Sequence, residues 1–375
     1  MPEQIPLWLD CDPGHDDVFA ILLGAYHPGI QLLGISTVHG NASLDKTTNN
    51  ALSVLAAIGK HHSITVYPGY AHALHRAPIH APAAIHGESG LDGTDLLPKP
   101  ATQADTSTDA IDAMAAALRA TAPGTAWLVA TGACSNAGAL FLKYPELASH
   151  IKGVSIMGGS VGGGFTPAVM GKVDDKERIG NYTQWAEFNI LIDPEAAASI
   201  FDNPVLAGKT TLVPLDLTHL CLATQEVQEL LLQRTEDGKP KSQLRQMLIE
   251  LLNFFAGTYR DVFGIVEGPP LHDPLAVAAI LTGTEHEIPF YDFDPKDPAG
   301  PQRHERFEVK VAIEGSLDDA LKGAETGRTT VRLLEPGEAG VRIPRGLDLK
   351  KFWKVIEECC ARADEANEKI LDQTT

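Results

Sequence analysis

The chain has 375 residues, 44% of them hydrophobic, which suffices to bury the core of one large α/β domain spanning 1–375. Lysine and arginine number 30 against 49 acidic residues, and the net charge of −19 argues against phosphate backbones and anionic lipid as partners, favouring a small neutral substrate or one held through a cation. The cysteines (Cys11, Cys134, Cys221, Cys359, Cys360) are odd in number and form no CxxC pair; they read as reduced thiols, and with neither a leader peptide nor a bilayer-length apolar run the expected location is cytoplasmic.

Taken in order, Ile5–Leu9 reads as a first strand and Asp16–His27 as a helix, with Val18, Ile21, Leu22 and Ala25 at helical spacing. Gln31–Val38 reads as a second strand, and Asn49–Ile58 as a helix ending at Gly59. Ala126–Ala130, Ile151–Met157 and Thr210–Leu215 look like further buried strands. Phe307–Ile313 and Thr329–Leu334 follow as strands, and a last helix starts near Leu349. Alternation of this kind predicts a mostly parallel central sheet with helices on both faces, whose ligands sit beyond the carboxyl ends of the strands. Three irregular stretches interrupt it, near 70–100, 158–184 and 289–303. We read the first two as active-site walls and the third as a surface insertion. No internal repeat is visible.

The most informative stretch is Asp10-Cys11-Asp12-Pro13-Gly14-His15-Asp16-Asp17, directly after the first strand. Carboxylates this close repel one another unless a positive charge lies among them. A helix dipole accounts for Asp16 and Asp17 in a first turn, but not for Asp10 and Asp12 before it. A hard divalent cation with oxygen ligands accounts for all of them. Elsewhere the local readings are ordinary. Asn41 after Gly40 is a turn residue, Ser135 a helix N-cap, and Asp273-Pro274 a helix start, a dipeptide repeated at Asp193-Pro194. The glycines after Met157 fit no dinucleotide fingerprint, and no P-loop motif occurs.

The run DCDPGHDD resembles the N-terminal motif of the inosine–uridine nucleoside hydrolase family. The likeness extends from Ile5 to about Ile280 and more weakly beyond. The wording LLGISTVHGN, IHGESGLDG and GPPLHDP is most like that of the fungal uridine nucleosidases. It implies an α/β enzyme that uses water to split ribose from a nucleobase, with one Ca2+ and no organic cofactor. Dimers or tetramers are the assembly the resemblance implies. By position, Asp12 matches a calcium ligand and general base, and Asp17 and Asp273 match further ligands. Ser135 stands where a backbone carbonyl reaches calcium. Asp16, Asn41, Asn181, Glu187 and Asn189 match residues that hold the ribose, with Asn41 also contacting the catalytic aspartate. Asp10 is a supporting aspartate, Met157 is a substrate-binding residue, and His86 matches a histidine near the base pocket, with Tyr259, one helical stretch before His272, a further pocket candidate. His272 is the acid for the leaving base. His15 receives no role. Water attacking opposite the base predicts a single displacement with inversion. Uridine is the leading substrate, with inosine, cytidine and nicotinamide riboside open, in nucleoside salvage.

Two other readings compete. A haloacid dehalogenase-type phosphatase would use Asp10-Cys11-Asp12, but it calls for threonine or valine where Gly14 stands. A catalytically silent nucleoside-binding protein would retain the sugar contacts without the chemistry.

Overall fold

The computed structural model describes residues 4–173 and 175–374; residues 1–3 of the N-terminal stretch and residue 174 of the second long loop lie outside them, as does 375. Six parallel strands form the central sheet: β1 (Ile5–Cys11), β2 (Ile30–Thr37), β3 (Val66–Pro68), β4 (Trp127–Ala130), β5 (Gly153–Met157) and β6 (Thr210–Val213). They lie in the order β3-β2-β1-β4-β5-β6. The chain thus runs outward in one direction from β1 and then returns to begin again at β4, which makes the gap beyond β1 and β4 the topological switch point.

Strand composition explains this placement. In β1, Leu7 and Leu9 face one core layer and Trp8 the other, the alternation of a strand covered on both faces. Trp8 needs a partner for its indole N–H and finds Ser36 Oγ on β2 at 3.0 Å. The first core layer carries α1 (Asp17–Tyr26), α2 (Leu44–Ala57), α7 (Gln243–Thr258), α8 (Asp273–Ala279) and α9 (Leu349–Thr374). The other carries α3 (Ala110–Arg119), α4 (Ser135–Lys143) and α6 (Pro194–Phe201). Between β5 and α6 lies the short α5 (Phe188–Ile192), capped by Glu187.

Several sequence boundaries move for identifiable reasons. β1 runs on to Cys11 because its pairing with β2 continues through Asp10↔Ser36 and Cys11↔Thr37, which brings Asp10 into the strand. α2 begins at Leu44, well before Asn49, because Thr47, Thr48 and Asn50 are buried polar residues that hide the apolar period. β3 escapes a sequence reading because it holds only three residues. The strands Phe307–Val311 and Thr329–Leu333 form an antiparallel ribbon outside the main sheet.

The C-terminal helix is tied to the core by both packing and charge. Phe352, Ile356, Cys359, Cys360 and Ala363 recur on its buried face, a stripe at helical spacing. Arg245 of α7 is fully buried, with Nε 2.6 Å from Asp364 and Nη2 3.0 Å from Glu357, both on α9. Removing one partner strands a buried guanidinium. Asp364→Ala should therefore cost about 3–5 kcal/mol of stability in urea unfolding, whereas a loss below about 1 kcal/mol, the level of exposed pairs, would show that the pair does not hold α9 down.

Candidate active site

The carboxyl ends of β1 and β4, the turn after β2, and the N-termini of α1 and α8 converge on one cleft. Its wall is built from Asp16, Asn41, His86, Thr131, Met157, Asn181, Glu187, Asn189, Tyr259, His272 and Asp273, completed by apolar residues that include Phe255 and Phe263. Asp10, Asp12 and Asp17 are fully buried beneath this surface. Of the stretches read as walls, 70–100 supplies Ala81, Ile85 and His86, and 158–184 supplies Asn181 and Tyr182.

The floor is acidic. Asp16, Asp17 and Asp273 each offer a carboxylate oxygen, and these atoms lie within 4.8 Å of one another. Burial, with the charge of Asp17 next in size, pushes Asp16 up to about 7, and burial with Asp16, Asp17 and Asp12 pushes Asp273 well above the usual carboxylate range. Asp12 is raised likewise, by burial and then by Asp17. Its Oδ2 accepts the Asn41 N–H at 2.8 Å, while its Oδ1 has no hydrogen-bond partner. Glycines shape this cradle: a Cβ at Gly40 would stand 2.0 Å from Oδ2, and one at Gly132 would stand 2.6 Å from Oδ1. Such a cluster of hard oxygen donors, with one buried oxygen unsatisfied, fits a divalent cation.

Asp10 lies a layer below. Its Oδ1 accepts from Ser36 at 2.5 Å and from Asn136 at 2.7 Å, which fixes it behind Asp12, and burial pushes it up to about 7. Asn41 also donates through Nδ2 to the Asp12 carbonyl at 3.1 Å and to Asp17 at 3.4 Å, joining the turn after β2 to the cluster. Gly14 N–H and Thr131 Oγ1 donate to the two oxygens of Asp17 at 2.9 and 3.0 Å.

The side wall is polar. Glu187 accepts the backbone N–H groups of Gly159, Asn189 and Ile190, and burial still raises it to about 7. Asn189 donates to the carbonyls of Thr131 at 2.8 Å and Met157 at 3.3 Å. Asn181 accepts the Phe188 N–H at 2.8 Å. The far wall is aromatic. Phe255, Tyr259 and Phe263 line up along α7 and the π-helical turn Tyr259–Phe263 that follows it, Phe255 meeting Tyr259 edge to face and Tyr259 stacking on Phe263. His272 Nε2 lies 2.7 Å from the Tyr259 hydroxyl, and its Nδ1 lies 2.7 Å from Thr218 Oγ1. Burial holds the pKa of His272 well below that of a free imidazole.

One residue matched by the sequence resemblance, Ser135, is not among those lining the cleft. Ser135 is the first residue of α4, so its carbonyl points along the helix, and its hydroxyl donates to Asp193 at 2.6 Å. The residue of that loop facing the carboxylates is Thr131, directly after β4. That position, just past the carboxyl end of a strand, is where a parallel sheet delivers its functional groups. His15, given no role, lies behind His86 with Nδ1 atoms 3.0 Å apart. Phe255 and Phe263 were also missed, although their spacing with Tyr259, every fourth residue, was readable.

Comparison with known proteins agrees with this architecture. The family model for inosine-uridine preferring nucleoside hydrolases matches residues 7–354. The uridine nucleosidase of Saccharomyces cerevisiae is 41% identical over 366 residues, 96% of this chain and 97% of the relative. A pyrimidine-specific ribonucleoside hydrolase of Citrobacter koseri is 36% identical over 277 residues, 74% of this chain and 79% of the relative. In fold, the chain resembles a purine-preferring ribonucleoside hydrolase from Gardnerella vaginalis, with TM-score 0.73 at 24% identity over 96% of this chain and 99% of that one. The protein is thus a hydrolase acting on ribonucleosides. It belongs to the inosine-uridine preferring nucleoside hydrolase family. Among the described residues, no helix is long and apolar enough to cross a membrane.

The raised carboxyls have a consequence for stability. In metal-free protein burial holds Asp10 and Asp16 protonated up to about pH 7, whereas an unperturbed aspartate titrates at 3.8. Native protein therefore binds more protons than unfolded chain across that window, and stability falls as pH rises through it. Chelated protein should melt at a higher temperature at pH 5.5 than at pH 7.5, and an added divalent cation that fits the carboxylates should raise the melting temperature more at pH 7.5. Metal-free melting that is equal at both pH values would contradict the raised carboxyls.

Proposed function

We propose that the chain, acting as one catalytic domain over 1–375, carries out calcium-dependent hydrolysis of the N-glycosidic bond of ribonucleosides, with uridine as the leading substrate. The observation that carries this reading is the pairing of an acidic floor with an aromatic wall across one cleft. One end suits a cation, a sugar diol and a water molecule; the other suits a flat base.

Asp12, Asp17 and Asp273 would hold the ion, with an oxygen of Thr131 in place of the Ser135 carbonyl. Asp16, the most exposed of the carboxylates, would meet a ribose hydroxyl. When bound, calcium supplies positive charge that orients the diol and the water and makes the water more acidic. It acidifies water less than zinc does, so a protein base is still needed. Asp12 serves as that base through Oδ1, because Oδ2 is already engaged by Asn41. Glu187, Asn181 and Asn189 line the sugar side. Glu187 and Asn189 are themselves fixed by backbone groups, so the ribose meets a preorganised edge.

As the base departs, positive charge builds on the ring and negative charge on the base. The buried carboxylates face the first, and the His272–Tyr259 pair stands at the aromatic end to serve the second. In that hydrogen bond the neutral His272 ring can donate its Nε2 proton to the Tyr259 oxygen, which leaves the phenol O–H free to hydrogen-bond the departing base. The Saccharomyces relative is a uridine nucleosidase, and the Citrobacter relative is pyrimidine-specific, which supports uridine first. Salvage of nucleosides is the role such an activity serves.

The reading is tested by release of ribose from uridine, which should proceed with Ca2+, stop with excess chelator and return on adding Ca2+; p-nitrophenyl phosphate should not be cleaved. Uridine bound but never split would leave a binding protein. Separately, His272→Ala should lower kcat on uridine by roughly 10²–10⁴-fold, the usual worth of general acid help, yet spare p-nitrophenyl riboside, whose leaving group needs no proton. Equal losses on both substrates would remove His272 from the leaving-group role.

A further inference from the structure

His15 and His86 come from distant parts of the chain, are both buried, and place their Nδ1 atoms 3.0 Å apart. A contact of this length between two ring nitrogens holds one proton, so one ring donates and the other accepts. The far side of His15 decides which. Its Nε2 lies 2.7 Å from the backbone carbonyl oxygen of Asp92, which can only accept, so the His15 proton sits on Nε2. The ring lies nearly parallel to Phe254 and Phe255, with centroids 5.1 and 5.7 Å away. Among the described residues no carboxylate hydrogen-bonds to either histidine, and burial of the pair outweighs the more distant charge of Asp92, so the two rings share their contact as neutral imidazoles. A neutral His15 protonated at Nε2 offers a lone pair at Nδ1. His86 must then carry its own proton on Nδ1, and its Nε2 is left with a lone pair at the cavity wall.

We propose that His15 is a positioning residue that locks His86 in the Nδ1–H tautomer, so that the wall presents a hydrogen-bond acceptor to the nucleoside. The inference rests on the cleft being the nucleoside site, as argued above. The Asp92 carbonyl that starts the relay belongs to a loop closed on itself: Asp92 N–H donates to the His86 carbonyl at 3.1 Å, and the Asp92 carboxylate takes the Glu88 N–H at 2.8 Å and the Ser89 hydroxyl at 2.5 Å. One loop thereby sets both the place of His86 and, through His15, its proton. A substrate group meeting this wall must be an N–H or O–H. The imide N–H of uracil and the 5′-hydroxyl of ribose are the two sources. In this state His86 donates nothing toward the cavity, which leaves proton delivery to the His272–Tyr259 pair.

The test has a spectroscopic arm and a kinetic arm. In the full-length protein with 15N-labelled histidine, the His86 signals, identified by their loss in His86→Gln, should show a protonated Nδ1 and an unprotonated Nε2. A protonated Nε2 in the wild type overturns the proposal, whether or not the protein cleaves any nucleoside. For kinetics, kcat/KM is compared on uridine, 3-methyluridine and 5′-deoxyuridine, each analogue lacking one donor. His15→Phe keeps the ring stack but removes the acceptor, and should lower kcat/KM on uridine by about 3- to 10-fold, the worth of one neutral hydrogen bond. That penalty should vanish on whichever analogue lacks the recognised donor. His15→Asn, which restores an acceptor near the Nδ1 position, should recover the loss. An equal penalty on all three substrates, or none on any, overturns the positioning role.

Discussion

The structure is organised around one electrostatic problem: several carboxylates buried together with no protein cation among them. Asp12, Asp16, Asp17 and Asp273 share the floor of a cleft whose described lining contains neither lysine nor arginine. In water their mutual repulsion would be weak, but burial removes the solvent that screens it and pushes each toward its protonated form. Leaving such groups charged requires positive charge from outside the chain. The fold makes part of the provision itself, since Asp17 opens α1 and Asp273 opens α8, where backbone N–H groups and the helix dipole favour a negative group. An oxygen-seeking cation would provide the rest.

Much of the surrounding structure exists to keep this arrangement rigid. Asp10 accepts two side-chain hydrogen bonds and stands as a fixed support beneath Asp12. Gly40 and Gly132 leave room for the Asp12 carboxylate between the ends of β2 and β4, room that a side chain at either position would fill. Asn189 bridges the ends of β4 and β5 through the carbonyls of Thr131 and Met157, so the sugar edge cannot drift relative to the floor. The parallel sheet delivers all of these groups to one end, because every strand of the doubly wound order finishes on the same side.

The cleft is divided chemically. Its acidic floor meets positive charge, while its aromatic wall offers flat apolar surface with a small number of polar atoms, namely the Tyr259 hydroxyl and the ring nitrogens of His272 and His86. Those atoms are held in definite partnerships: His272 between Tyr259 and Thr218, and His86 against His15. Each histidine is kept neutral by burial, so each acts through the placement of a proton and not through a formal charge.

By itself the sequence determined the fold class, most strand positions and the candidate residues of the acidic motif, because hydrophobic period and a dense run of aspartates are local signals. Asn181, Glu187 and Asn189 came from resemblance, since an asparagine or glutamate in a loop looks the same whether it meets a ligand or solvent. Tertiary structure alone decided which residue after β4 faces the carboxylates: Ser135 starts a helix that turns its carbonyl away, whereas Thr131 ends on the strand. It also alone decided that His15 lies against His86, since their contact joins the turn after β1 to a loop that packs over it. Local pattern announces which residues carry chemistry. Which atoms of those residues meet, and where the shared proton lies, depends on backbone directions and long-range contacts that no local pattern carries.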